Sequence, residues 1–192
     1  MNSKNLLWLV TVGVATWVVA ASTGQLIVFA TGVPASSSLL NGFIVPFLLV
    51  FGVLPTKSKF PVTVAFTVYG VLAIFTVLLG PPGIQKIPVA IIAGLITDLL
   101  IILFKKLKMN KALSYCVAFG VWGLLLAALA WIVYQIMELP GKDRFEQMFL
   151  VMVVAFVVEA AIAGVVAVKI YDKSKFAKNP LIIRLNGDGT QE

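Results

Sequence analysis

Residues 87–111 read IPVAIIAGLITDLLIILFKKLKMNK, an apolar run that ends in a cluster of lysines. The apolar part is close to the roughly 20 residues that cross a bilayer, and it contains one acid, Asp98. The lysines that follow are Lys105, Lys106, Lys108 and Lys111. Because basic residues are retained on the cytoplasmic side of membranes, this stretch predicts a spanning helix that ends in the cytoplasm.

Five further apolar runs resemble this one, which gives six in all. The runs cover 6–24, 39–55, 60–79, 87–104, 112–137 and 147–168. Basic residues concentrate in alternate gaps, with Lys57 and Lys59 after the second run and Lys169 and Lys173 after the sixth, whereas the first gap is uncharged. The pattern predicts an all-α integral membrane protein with six transmembrane helices in one compact bundle and both termini in the cytoplasm.

The domain organisation follows from these runs. Residues 1–178 form the predicted transmembrane domain of a multi-pass protein of the cell (plasma) membrane, and 179–192 form a polar cytoplasmic tail. Hydrophobic residues make up 60% of the chain and charged residues 12%, against roughly 25% charged in soluble domains. Val19-Ala20-Ala21 also allows a signal peptide over the first run, whose cleavage would leave five spans. We expect the first run to be retained as an anchor.

Composition excludes several classes of protein. The net charge of +7 comes from lysines at helix ends, where an anionic membrane leaflet explains them, so we expect no nucleic-acid partner. Histidine is absent and Cys116 is the one cysteine, which removes the commonest general base and metal ligand. No GxxxxGK[ST] motif is present. We expect no enzyme activity, no catalytic residue, no metal and no cofactor.

The gap from Ser22 to Ser38 is unusual for a connection between helices. It is moderately apolar, yet Gly32, Pro34 and three consecutive serines interrupt it. Since a lipid-exposed backbone must satisfy its own hydrogen bonds, the segment cannot simply cross the membrane. We expect an external loop or partial helix that folds back over the bundle as a lid, and the alternative is an ordinary connection between helices.

Two acids lie inside apolar runs, Asp98 and Glu159. Small residues share a helical face with each acid, so we expect both to face other helices rather than lipid. They are candidates for an ion or proton relay, or for a contact to a partner subunit. The alternative is a protonated carboxyl group that hydrogen-bonds across a helix interface, for example to Thr97, Thr67 or Thr63. We expect Asp98→Asn and Glu159→Gln to fold.

A group of polar and aromatic residues is predicted at the outer end of the bundle. Amides, aromatic rings and one cation suit a polar, planar ligand or its carboxylate, although aromatic residues also decorate membrane interfaces without any ligand. The candidate substrate-binding residues are Gln25, Asn41, Gln85, Lys86, Trp131, Tyr134 and Gln135.

Residues 80–88 read GPPGIQKIP and lead into AGLITDLL at 93–100. This arrangement resembles the Gly/Pro-rich start and Gly-xxx-Asp helix of the substrate-binding S components of energy-coupling-factor transporters. The resemblance extends to the length, the six helices and the long segment after the first helix. It implies a membrane receptor for a vitamin, a vitamin precursor or a similar micronutrient. It also implies docking to a transmembrane T component and two cytosolic ATPases.

The resemblance further implies a docking face of small residues on the first helix. Thr16, Ala20 and Gly24 form such a stripe, although the family's Ala-xxx-Ala form is not intact here, and packing within the bundle is the alternative.

Two functions from different classes fit the sequence. The first is capture of a small micronutrient outside the cell for ATP-driven uptake with partner subunits. The second is a proton-coupled small-solute carrier, or a small membrane subunit of an ion-translocating complex, in which Asp98 and Glu159 move protons.

Overall fold

The computed structural model describes residues 3–31, 36–76, 78, 82–137 and 142–174. These residues form six α-helices, which confirms the predicted all-helical chain. The helices are α1 (Ser3–Thr31), α2 (Ser36–Val53), α3 (Pro61–Leu72), α4 (Lys86–Lys106), α5 (Lys111–Met137) and α6 (Lys142–Lys173), with a 3-10 turn at Ala73–Phe75 after α3. The predicted tail, 179–192, lies outside the described residues.

The helices close into a ring. Around it the order is α1, α2, α6, α5, α4 and α3, which packs against α1 again. Large apolar side chains fill the interior, among them Leu9, Leu49, Phe66, Phe119 and Trp122. The outer faces are also apolar, as expected where lipid tails rather than water surround the helices.

The helices differ widely in length, which bears on how many cross a membrane. Stretches of four of them, Ser3–Leu26, Lys86–Lys106, Lys111–Val133 and Phe149–Lys173, are long and apolar enough to do so. By contrast, the 12 residues of α3 rise about 18 Å, less than the roughly 30 Å of a hydrocarbon core. The crossing of all six helices, and the position of the termini, remain predictions.

The expected lid over residues 22–38 is wrong in its main part. The first helix continues to Thr31 and the second begins at Ser36, so an ordinary helix occupies most of the segment. The physical reason is that no proline or glycine interrupts residues 25–31, and the backbone hydrogen bonds of α1 can therefore continue. Residues 32–35 lie outside the described part of the chain.

The turn between α4 and α5 has an unusual backbone. The Met109 N–H donates to the Phe104 carbonyl at 3.0 Å and the Lys108 N–H donates to the Lys105 carbonyl at 3.2 Å, the two bonds of a Schellman helix end. Lys108 adopts the left-handed conformation, with φ 56°, at a position where glycine is usual. The left-handed form costs roughly 1–2 kcal/mol for a residue with a Cβ.

Candidate functional site

The carboxylate of Asp98 lies between α4 and the beginning of α3. Its side chain is on α4 and only 2% exposed. Oδ1 accepts a hydrogen bond from the Val62 N–H at 3.2 Å, and Oδ2 accepts from the Thr63 N–H at 2.8 Å and from the Thr63 hydroxyl at 2.7 Å. Phe60, at the N-cap position of α3, provides no side-chain hydrogen bond. The carboxylate of another helix therefore caps the free N–H groups of α3.

Lys86 lies at the opposite end of α3. Its side chain is 1% exposed, and its ammonium group donates to the carbonyl oxygen of Ala73 at 2.8 Å and to that of Thr76. These carbonyls belong to the 3-10 turn that ends α3 and to the residue after it. Lys86 thus satisfies the Thr76 carbonyl at the end of the helix and adds a donor to the Ala73 carbonyl, which also accepts from the Thr76 N–H at 3.0 Å.

Two charged residues of α4, Lys86 and Asp98, together hold α3 at both ends. They are 12 residues apart on α4, which corresponds to about 18 Å, and the 12 residues of α3 have the same rise. The helix dipole favours an anion at the N-terminus and a cation at the C-terminus, and this is the arrangement that Asp98 and Lys86 provide. We call this pair of contacts the α4 clamp.

The second predicted acid, Glu159, has a different environment. It lies on α6 and packs against Gly42 of α2, where a Cβ atom would overlap its Oε2 atom. That oxygen is buried and has no hydrogen-bond partner among the described residues. Asp98 faces α3 and Glu159 faces α2, so the structure shows no direct contact between the two acids.

The residues predicted to bind substrate lie on several elements. Asn41 connects α2 to α1, since its Nδ2 donates to the Ala20 carbonyl at 3.2 Å and its Oδ1 accepts from the Thr23 hydroxyl at 3.2 Å. Gln25 is exposed on α1, and Gln85 is half-buried immediately before α4. These side chains are positioned by three different helices.

The remaining members lie on α5, opposite α6. The Trp131 ring contacts Phe149, with 6.2 Å between ring centroids, and Gln135 donates to the carboxylate of Glu146. The side chain of Tyr134 lies outside the described part of the structure. The α5 residues therefore join the two helices of the α5–α6 hairpin, and their role in binding a ligand stays a prediction.

The small-residue stripe on α1 faces the interior. Thr16 and Ala20 are almost fully enclosed and Gly24 is buried as well. This conformation has no surface there for another protein, because the stripe packs against the neighbouring helices of the ring. The alternative of packing within the bundle is the one that the structure supports.

Sequence reasoning missed three buried polar groups. The Thr16 hydroxyl and the indole N–H groups of Trp17 and Trp122 are buried without a hydrogen-bond partner among the described residues. Trp122 lies at the centre of an aromatic cluster, with its ring centroid 5.1 Å from that of Phe66 and 6.0 Å from that of Phe119. A tryptophan in the middle of an apolar run is the signal that could have identified this group.

Comparison with known proteins gives no relative. No family model, no curated protein and no solved structure matches this chain.

Proposed function

We propose that the chain is a solute-binding subunit of the cell membrane that captures a small micronutrient for ATP-driven uptake. The observation that supports this is the set of buried polar atoms without partners, which α1, α5 and α6 contribute. Buried polar groups are nearly always hydrogen-bonded, so these unpartnered atoms favour a protein in which a polar solute supplies the missing partners.

The α4 clamp favours this proposal over a relay between two acids. Both carboxylate oxygens of Asp98 are occupied by donors from α3, and breaking these bonds would expose the helix end to an apolar surrounding. A relay needs groups that can release and accept protons in turn. Glu159 is the one described acid whose buried oxygen is unused, and it is the residue that keeps the second candidate, a proton-coupled carrier, in consideration.

The proposal includes partners, which follow from the resemblance of residues 80–100 to S components. A transmembrane T component and two cytosolic ATPases would supply the energy, since the sequence contains no phosphate-binding loop of the P-loop type. Docking to the T component would use a surface other than the buried stripe of Thr16, Ala20 and Gly24.

Ligand retention tests the proposal directly. The full chain is purified in a neutral detergent, and small molecules released by denaturation are identified by mass spectrometry. We expect one polar metabolite at close to one equivalent in the wild type and at least tenfold less in Glu159→Gln and Trp122→Phe. Asp172→Asn, which changes an exposed acid at the other end of α6, is the matched control and should retain the metabolite.

Two outcomes contradict the proposal. One is the absence of any metabolite enriched over an unrelated membrane protein purified in the same way. The other is solute uptake into liposomes that contain this chain alone, driven by a pH gradient and abolished in Glu159→Gln. That result would establish the carrier instead.

A further inference from the structure

Six of the exposed lysines at one end of the ring lie on or beside the three neighbouring helices α4, α5 and α6. Lys105 and Lys106 end α4, Lys108 lies in the following turn, and Lys111 begins α5, whereas Lys169 and Lys173 are at the end of α6. The ring places α5 between α4 and α6, so these side chains border one continuous region, which we call the basic rim. Asp172 is the one acidic side chain at this end among the described residues, and it binds Lys111 at 2.7 Å.

Local structure does not explain one of these lysines. Lys108 occupies the left-handed position of the Schellman turn, where glycine would avoid the strain. Lys111, by contrast, pairs with Asp172 and lies over the Tyr171 ring, 5.4 Å from its centroid. Positive charge is therefore retained at Lys108 although the backbone conformation disfavours a side chain there, which indicates a role outside the local fold.

Apolar surface adjoins the basic rim. Leu103, Leu107 and Leu113 are exposed along α4, the following turn and α5. On α6, an open groove of about 380 Å³ is lined by Lys169, Ile170, Lys173 and Ser174. Ammonium groups beside exposed aliphatic side chains match an amphiphile, whose anionic part meets the lysines and whose chains lie along the helices.

We propose that the basic rim is a binding site for the headgroup of an anionic phospholipid. The phosphodiester accepts hydrogen bonds from Lys169 and Lys173 in the groove. Lys108 and the neighbouring lysines of the α4–α5 turn attract the same negatively charged headgroup. The acyl chains lie against the exposed leucines. This site is independent of the solute that the proposed function requires.

The test measures binding of short-chain lipids to the full chain in a neutral detergent by native mass spectrometry. Dioctanoyl phosphatidylglycerol is compared with dioctanoyl phosphatidylcholine and with glycerol 3-phosphate, which has the charge and no chains. We expect the anionic lipid to bind at least tenfold more tightly than the other two. Added salt should weaken this binding, because it screens exposed charges.

Variants locate the site. Lys169→Gln with Lys173→Gln should weaken phosphatidylglycerol binding roughly 30-fold, and Lys108→Gly should weaken it roughly fivefold. Lys108→Gly keeps the turn, since glycine adopts the left-handed conformation readily, so misfolding cannot explain a loss. Lys59→Gln removes one exposed lysine from the α2–α3 connection and is the control that should bind normally.

Four results would overturn the proposal. Equal binding of the two lipids would exclude charge recognition, and equal binding of glycerol 3-phosphate would indicate a site for free anions. A loss in Lys59→Gln as large as in the double variant would indicate diffuse attraction without a site. Binding of a polyglutamate peptide to the rim without any preference for the anionic lipid would assign the surface to an acidic protein.

Discussion

The Asp98 carboxylate accepts three hydrogen bonds, from the Val62 N–H, the Thr63 N–H and the Thr63 hydroxyl. None of these three donors is a cation. An asparagine can present one acceptor oxygen to these donors, but its NH₂ group would face at least one of them. We therefore expect Asp98→Asn to fold with a free energy of unfolding lowered by about 1–3 kcal/mol, because buried N–H groups of α3 lose their acceptor. Thermal unfolding of the purified protein in detergent measures this.

Thr63→Val is the matched variant for this prediction. It removes the hydroxyl donor and leaves the two backbone contacts of Asp98 in place, so the loss should be near 1 kcal/mol. If Asp98→Asn is no less stable than Thr63→Val, the carboxylate does not cap α3.

The contact between Asp98 and Thr63 was one of the alternatives that the sequence offered, and the structure confirms it. The bonds to the backbone N–H groups were not predictable, because they depend on the register between α3 and α4. Lys86 shows the same limit. Its position after a proline-rich corner suggested a ligand-binding cation, whereas the structure directs it to the carbonyls of Ala73 and Thr76.

At the scale of the element, α3 depends on α4 at both ends. Its 12 residues are too few to be stable as an isolated helix. We expect Lys86→Met to remove the ammonium donor from the Thr76 carbonyl and one of the donors from the Ala73 carbonyl, and therefore to speed hydrogen exchange in residues 61–76 at least tenfold. Exchange in α5 and α6 should stay as in the wild type. Uniform acceleration across all helices would show that Lys86 stabilises the whole ring rather than this element.

The contact between α5 and α6 offers a second prediction at this scale. A Cβ atom on Gly123 would overlap the Phe156 carbonyl oxygen, whereas a Cβ atom on Gly120 would meet nothing nearer than Ala161 Cβ, at 3.6 Å. Gly123→Ala should therefore lower the free energy of unfolding by about 1–3 kcal/mol through overpacking.

Gly120→Ala is the control on the same face. It should be neutral or should raise the free energy of unfolding by about 0.5–1 kcal/mol, since alanine favours a helix. Equal unfolding temperatures for the two variants would contradict the close approach of the helices at Gly123.

Helix positions were predictable from the apolar runs, and their ends were less so. Hydrophobicity indicates where a helix can lie in a membrane, but capping decides where it stops. The third run extends to residue 79, yet α3 ends at Leu72 and a 3-10 turn follows, where Lys86 donates hydrogen bonds to the carbonyl oxygens of Ala73 and Thr76. The first run ends near Gly24, yet α1 continues to Thr31, since a single glycine does not interrupt a helix.

At the scale of the whole molecule, the order of the helices around the ring could not be predicted from the sequence. In a soluble bundle an apolar stripe shows which face of a helix is inside. Here both the interior and the outer surface are apolar, so the pattern does not distinguish them. Small residues mark close contacts without saying which helix makes them. The stripe at Thr16 and Ala20 could therefore be interpreted as a docking face for a partner or as packing within the bundle. The burial of both residues favours packing within the bundle.

The lysine-rich end predicts an orientation of the ring in the membrane, and this prediction can be measured. Cys116 is the one cysteine of the chain, so Cys116→Ala provides a background for single exposed cysteines. In intact cells, a membrane-impermeant maleimide should label Gln25→Cys and Glu146→Cys, which lie at the end opposite the rim. Lys59→Cys and Lys173→Cys should react only after the membrane is permeabilised, because lysine-rich ends are retained in the cytoplasm. The reverse labelling pattern would show that the protein has the opposite orientation in the membrane, with the proposed lipid site in the outer leaflet.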